Sequence, residues 1–371
     1  MDTKKEKKNI LSNGAVQTLL ASLFCIILGL VVGYVVLLVI NPQGAGRAIT
    51  AILQNFLYFP RPEVALEYFG STLAKTAPLL MCTLSVLFAY KVGLFNIGAS
   101  GQYAVGAGFA LYFGIHYGAP WWLCLLLAML GGAALGAIAG ALKAYLNVNE
   151  VIACIMLNWI SLYAVNTVLT EVKESGTTYT LPLRTNNPNA LIPHLGLQHL
   201  FADNRYVTIA IPLAVIFAIL VWVVLDKTKL GYELKATGLS INAAKYAGIK
   251  VGRSMVLSMT ISGALAGLAG VTYYLGYVGS IQPKVLISTG FDAIAVSLLG
   301  NNNPFGIVFS TMLITLISKG STYMKSAAGV DAEIASVITG IILLFSACNA
   351  YIKWKMERNR REKTNKTKED K

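Results

Sequence analysis

Ten separate apolar stretches, with hardly any charge inside them, run through these 371 residues. They read as spans at about 16–40, 71–92, 97–117, 121–142, 150–169, 207–225, 254–275, 287–300, 304–319 and 333–352. A continuous apolar run of roughly 20 residues is long enough to cross a bilayer core as a helix. Inside hydrocarbon the backbone must satisfy its own hydrogen bonds, and a single apolar run does that as a helix. The expected fold class is an all-α polytopic membrane protein with about ten transmembrane helices, some short or interrupted. The composition, 56% hydrophobic and only 13% charged, leaves too little polar surface for water-soluble domains, which average about 25% charged.

A net charge of +13 raises the question of nucleic acid, so its distribution matters. Residues 1–9 contribute +2, Asp226–Arg253 +4 and Lys353–Lys371 +5, whereas the polar loop Thr170–Tyr206 sums to zero. Basic connections stay on the cytoplasmic side of a membrane. The three basic segments, and with them both termini, are therefore expected in the cytoplasm, and the neutral loop outside. Ten crossings from a cytoplasmic start also return the chain to the cytoplasm. The basicity is a topology signal and argues against a nucleic-acid partner.

Local composition adds detail within a single transmembrane domain, residues 1–371. Its parts are a cytoplasmic loop at 226–253, an external loop at 170–206 and a basic cytoplasmic tail at 353–371. The first apolar run, about Leu19–Ile40, is too long for a signal-peptide core and lacks a small-residue cleavage site, so it is expected to remain as the first span. Asn41–Gly70, with Pro60 and Pro62, is expected to fold over the outer membrane surface. Cys25, Cys82, Cys124, Cys154 and Cys348 all lie in or at the end of apolar runs and show no C-x-x-C spacing. They read as small buried hydrophobes, and no metal site is expected. Gly29-x3-Gly33, Gly132-x3-Gly136-x3-Gly140 and Gly263-x3-Gly267 place small residues on one helix face, where backbones can approach closely.

Two regions depart from plain spans. Gly93–Gly101 (GLFNIGASG) brings Asn96, Ser100 and several glycines to membrane depth. Asp292–Pro304 (DAIAVSLLGNNNP) ends in Asn301-Asn302-Asn303-Pro304, and the spans at 287–300 and 304–319 are only about 14 and 16 residues long against the roughly 20 that a crossing needs. Gly- or Pro-interrupted helices in corresponding places point to a midplane pathway. An ordinary helix–turn–helix at Asn301–Asn303 explains the second region equally well.

The basic segment is patterned for docking. Leu230–Gly238 and Asn242–Ile249 are rich in Ala and Gly, which predicts two short helices with glycine turns at 238 and 248. A flexible tether would not need that pattern. It suits a groove on a partner protein, or a surface helix with its lysines at lipid headgroups.

GLFNIGASGQ (93–102), NEVIACIMLNW (149–159), LGYELKATGLSINAAKYAGI (230–249) and GFDAIAVSLLGNNNPFGI (290–307) together resemble the permease subunits of bacterial ABC importers for nucleosides. That group belongs with simple-sugar and branched-chain amino-acid permeases. The four stretches occur in the expected order over most of the chain. One departure is Ser100, where the family leads us to expect Glu.

The resemblance implies a passive transmembrane permease in the bacterial plasma membrane that lets nucleosides through by alternating access. Its implied partners are a cytoplasmic ABC ATPase, a substrate-binding lipoprotein and a second permease subunit in a heterodimer, within membrane lipid. The 230–249 stretch would be the ATPase coupling loop, through Gly231, Gly238, Asn242, Ala243, Ala244 and Gly248. The chain has no G-x4-G-K-[ST] phosphate loop, so ATP would be bound by another chain and no cofactor by this one.

A nucleoside needs aromatic faces and polar partners, which Phe95, Asn96, Gln102, Asn158, Phe291 and Asp292 supply near the interruptions. Each has a structural reading too, since amides bond neighbouring helices and aromatics pack. Asp292 stands out because an intramembrane acid is costly unless functional or paired; Lys75, Lys91 or Lys319 could pair it. A simple-sugar permease is the nearest alternative. An ion-coupled transporter would leave the 230–249 pattern unexplained. An enzyme is not expected, since His116, His194 and His199 lack metal spacing or a carboxylate pair.

Overall fold

The computed structural model describes residues 14–282, 285, 287–347, 355 and 358. Cys348, residues 1–9 and most of the basic tail lie outside the described residues. Fourteen α-helices are described: α1 (Gly14–Ile40), α2 (Ala45–Gln54), α3 (Pro62–Tyr90), α4 (Ala99–His116), α5 (Trp121–Leu146), α6 (Glu150–Leu169) and the one-turn α7 (Leu183–Asn186) come first. They are followed by α8 (Ala210–Lys227), α9 (Lys229–Leu239), α10 (Ile241–Tyr246), α11 (Val251–Tyr273), α12 (Thr289–Leu299), α13 (Pro304–Ala328) and α14 (Ala332–Ala347). Each of the ten apolar stretches overlaps one of these helices, and positions 348–352 of the last stretch lie outside the described residues. Among the described residues, seven helices are long and apolar enough to cross a membrane.

Local chemistry sets many helix ends. Pro62 opens α3, where a missing N–H costs nothing. Asn147 closes α5 in the left-handed region at φ 51°, a conformation asparagine tolerates. Two residues on, the Asn149 side chain accepts from the amides of Val151 and Ile152 and starts α6. Thr228 and Ser240 cap α9 and α10 in the same way.

Two expected boundaries are corrected. The span expected at 71–92 begins at Pro62, because an amphipathic first turn extends a helix beyond its hydropathy peak. The run expected to be short at 304–319 is a helix of 25 residues. Its polar end is held by hydroxyls bonding their own helix, Ser321 to the Ser318 carbonyl and Thr322 to that of Lys319. The truly short element is α12, with 11 residues.

By internal contacts the chain forms two compact units, residues 56–316 and residues 1–55 with 317–371. In the first, α11 is the central helix and packs against α5, α3 and α4. An added Cβ at Gly136 would stand 2.1 Å from the Met259 carbonyl oxygen, and one at Gly263 2.1 Å from that of Gly132. The predicted small-residue faces of α5 and α11 therefore meet backbone to backbone. The loop 170–206 folds over the end of α11, with Leu183 donating to the Gly279 carbonyl and Ile192 to that of Leu275. In the other unit, α1 packs along α14. There α2, in the segment expected to fold over the membrane surface, buries Ala45, Ala48, Ala51 and Ile52 on one face.

Candidate functional site

The chain leaves helical geometry between α3 and α4, and the first expected interruption is real. Gly93 turns the chain at φ 82°, a value glycine adopts without strain. The break is then closed by a buried amide network. Asn96 Nδ2 donates to Gln102 Oε1 at 2.7 Å and to Ser262 Oγ at 2.7 Å. Ser262 Oγ in turn donates to the Ser85 carbonyl at 2.7 Å. Asn158 Oδ1 accepts from the Gly101 amide at 2.8 Å, and its Nδ2 donates to the Ile97 carbonyl at 3.0 Å. Asn96, Gln102 and Asn158 are all buried.

The two Asn158 bonds satisfy backbone that the broken helix leaves open, as burial at membrane depth requires, while Asn96 and Gln102 satisfy side chains. Three of the six proposed pathway residues thus form the scaffold of the break. Ser85 and Ser262 complete it and were not singled out from the sequence. Their only sequence signal is a hydroxyl in an apolar run, which also fits a side chain bonding its own helix.

The other candidates are more open. Phe95 is half-buried, and Phe291 and Asp292 are exposed near the start of α12. Lys75 on α3 is close enough to Asp292 to act on it electrostatically. Lys91 does not take that role: its Nζ donates to the Asn302 carbonyl at 2.8 Å. Ser100 is buried with its hydroxyl unbonded, and Gly290 presses on it so closely that a Cβ there would lie 2.4 Å from Ser100 Oγ. The second expected interruption is a helix–turn–helix. Asn301 and Asn302 adopt φ 54° and 48°, and Ser297 Oγ bonds Asn302 Oδ1 at 2.9 Å.

The basic segment forms the two short helices expected, α9 and α10. Gly248 makes its turn at φ 79°. Gly238 is corrected: it lies in the last turn of α9, where it allows a close approach to the chain leaving α3. A Cβ there would stand 2.4 Å from the Lys91 carbonyl oxygen. Gly231 and Ala244 are buried against the chain itself, while Asn242, Ala243 and Gly248 are exposed. Beside them Leu239, Ile241 and Tyr246 are exposed at 88%, 44% and 94%. That is a compact apolar surface on a charged segment.

Lys235 pairs with Asp226 at the base of this segment. Burial pulls the Lys91 ammonium below the ordinary lysine pKa, Lys235 adds to that, and Asp226 acts against it.

At the other end of α11, Arg184, His194, Arg205, Thr208 and Tyr277 line a cavity of about 230 Å³. His194 Nδ1 lies 2.7 Å from the Val207 carbonyl. A carbonyl can only accept, so Nδ1 carries a proton.

The sequence family described as branched-chain amino acid transport system, permease component, matches residues 68–347. Among curated proteins, the chain is 33% identical over 352 residues to the guanosine ABC transporter permease protein NupP of Bacillus subtilis, covering 94% of this chain and 98% of that protein. It is 35% identical over 291 residues to the nucleoside ABC transporter permease protein NupB of Lactococcus lactis, covering 75% and 78%. A second Bacillus subtilis protein, the guanosine ABC transporter permease protein NupQ, is 30% identical over 246 residues, covering 64% and 76%.

Proposed function

Because this chain belongs to the family of branched-chain amino acid transport system permease components, we propose that it carries nucleosides through the membrane as one permease subunit of an ABC importer. It is a multi-pass protein of the bacterial plasma membrane. The observation that carries the substrate reading is its likeness, over most of its length, to relatives named for guanosine and nucleosides.

In this reading α12 and the α3–α4 break border the route. Phe291 offers a ring to a base, and Asp292 offers an acceptor to hydroxyls or base N–H groups. Asn96, Gln102 and Asn158 hold the break in shape behind them. A cytoplasmic ATPase supplies the energy, and a substrate-binding lipoprotein delivers the nucleoside outside. Two similar Bacillus subtilis permeases share one guanosine name, which supports pairing with a second, different permease subunit.

Competition for labelled guanosine uptake in cells producing the system tests the substrate. Unlabelled guanosine, adenosine or uridine should compete, and ribose should not. Ribose competing as well as the nucleosides would overturn the assignment in favour of a simple-sugar permease.

The ATPase is expected to dock on the exposed faces of α9 and α10. Ala243→Arg would bury an unpaired cation in that contact, weakening it on the order of 3 kcal/mol. Ala243 is exposed within this chain, so abundance in the membrane should stay at the wild-type level. Co-purification of the ATPase is the measurement. Undiminished recovery with the variant would remove this surface from the interface.

A further inference from the structure

We propose that Lys91 is a positioning residue that ties the α9–α10 pair to α12, so that displacement of one moves the other. The inference rests on the reading of α9–α10 as the segment an ATPase pushes. The connection has two links, and neither has slack.

The first link is backbone on backbone. A Cβ on Gly238 would stand 2.4 Å from the Lys91 carbonyl oxygen and 3.1 Å from the Val92 carbonyl carbon. Gly93 faces back, with its own Cβ position 3.5 Å from Gly238 Cα. With no side chain between them, α9 and residues 91–93 have no rotamer to flex and move together.

The second link is the Lys91 side chain, which reaches from there to the turn between α12 and α13. Its ammonium donates to the Asn302 carbonyl at 2.8 Å. The nearby carboxylate, Asp226, is engaged by Lys235, so the Asn302 carbonyl is the anchor for this half-buried cation. The turn it grips is stiff. The Asn302 amide donates to the Ser297 carbonyl at 2.9 Å, and Ser297 Oγ bonds the Asn302 side chain. Asn303 Oδ1 accepts from the Phe305 amide to start α13.

From that turn α12, 11 residues long, runs back through Asp292 and Phe291 to Thr289. Gly290, just before Phe291, presses on Ser100. A pull on Lys91 therefore arrives at the two exposed pathway candidates through a single short helix.

A plainer role is to cap the turn that follows α12 by bonding one of its carbonyls. The two roles part in their consequences. A cap affects stability alone, whereas a link affects how much transport each ATP hydrolysed yields.

The test uses the complete importer in liposomes with guanosine and ATP. Lys91→Met keeps the apolar stem and removes the donor; Lys91→Arg keeps a donor. Guanosine transported per ATP should fall at least about fivefold in Lys91→Met, the lower end of typical coupling between sites, and Lys91→Arg should restore most of it. An unchanged ratio in Lys91→Met, including a parallel fall of transport and hydrolysis, overturns the proposal.

A second measurement needs no ATPase. Spin labels at Ala243→Cys and Phe305→Cys on the full chain should give one narrow distance distribution that broadens with Lys91→Met. An unchanged distribution overturns the link. Should the wild-type chain fail to couple to any ATPase while the distribution still broadens, the link stands and the ATP-driven reading falls.

Discussion

Glycines spaced four apart line two helix contacts in this chain, and the two contacts differ in what the glycines meet. At Gly132 and Gly136 of α5 and Gly263 and Gly267 of α11, the atoms nearest an added Cβ are carbonyl oxygens, for example 2.2 Å from Gly132 to that of Gly263 and 2.2 Å from Gly267 to that of Ala128; Gly140, at the end of the series, meets Met259 Cβ at 2.9 Å. Along α1 and α14 the glycines meet isoleucines instead. The nearest atoms are Ile342 Cγ1 at 2.6 Å from Gly29 and Ile338 Cγ2 at 2.8 Å from Gly33. The same sequence spacing gives a backbone seam in one place and a knob seated on a small residue in the other. A side chain can change rotamer; a carbonyl within a helix cannot move without the helix. The seam also lies beside the amide network, since Ser262 precedes Gly263. Its rigidity therefore holds the α3–α4 break in place.

The largest effect should follow Gly263→Ala. Overpacking in a well-filled interior costs about 1–3 kcal/mol when neighbours can adjust, and here the neighbour is the Gly132 carbonyl. Thermal unfolding of the purified chain should show a loss at or above the top of that range, which truncating neighbouring side chains does not recover. A small shift would mean that α5 and α11 can separate freely, and the contrast would collapse.

Gly29→Ala should cost less, but it should not be free. Its second neighbour is Ile342 Cα at 2.8 Å, so part of the clash is again backbone. Gly33→Ala should cost least, because every close atom belongs to the Ile338 side chain. Adding Ile338→Ala should remove most of that penalty, leaving the double variant about as stable as Ile338→Ala alone. Strict additivity of the two changes would show that α1 and α14 are held by backbone after all.

The membrane class, the positions of the spans and the two helices of the basic segment were legible in the sequence. Each is governed by local properties: a run of apolar residues, a capping side chain, a cluster of small residues. The small-residue faces were legible for the same reason, since four-residue spacing places glycines on one side of any helix. The ends of α3 and α13 were less so, because a helix can outlast its hydropathy.

Partners across the fold were not legible. Asn96 and Ser262 are 166 residues apart, and Lys91 and Asn302 are 211 apart. An asparagine in an apolar run announces a need for hydrogen bonds and does not say which hydroxyl meets it. Gly238 looked like a turn because glycine serves both turns and close contacts, and only the presence of the Lys91 carbonyl decides between them. The sequence by itself determined what must be buried, and where helices form. Which polar groups answer one another, and which glycines touch backbone rather than side chain, was decided by the tertiary packing. Those contacts join segments whose relative placement is set by the whole bundle, and no local preference encodes it.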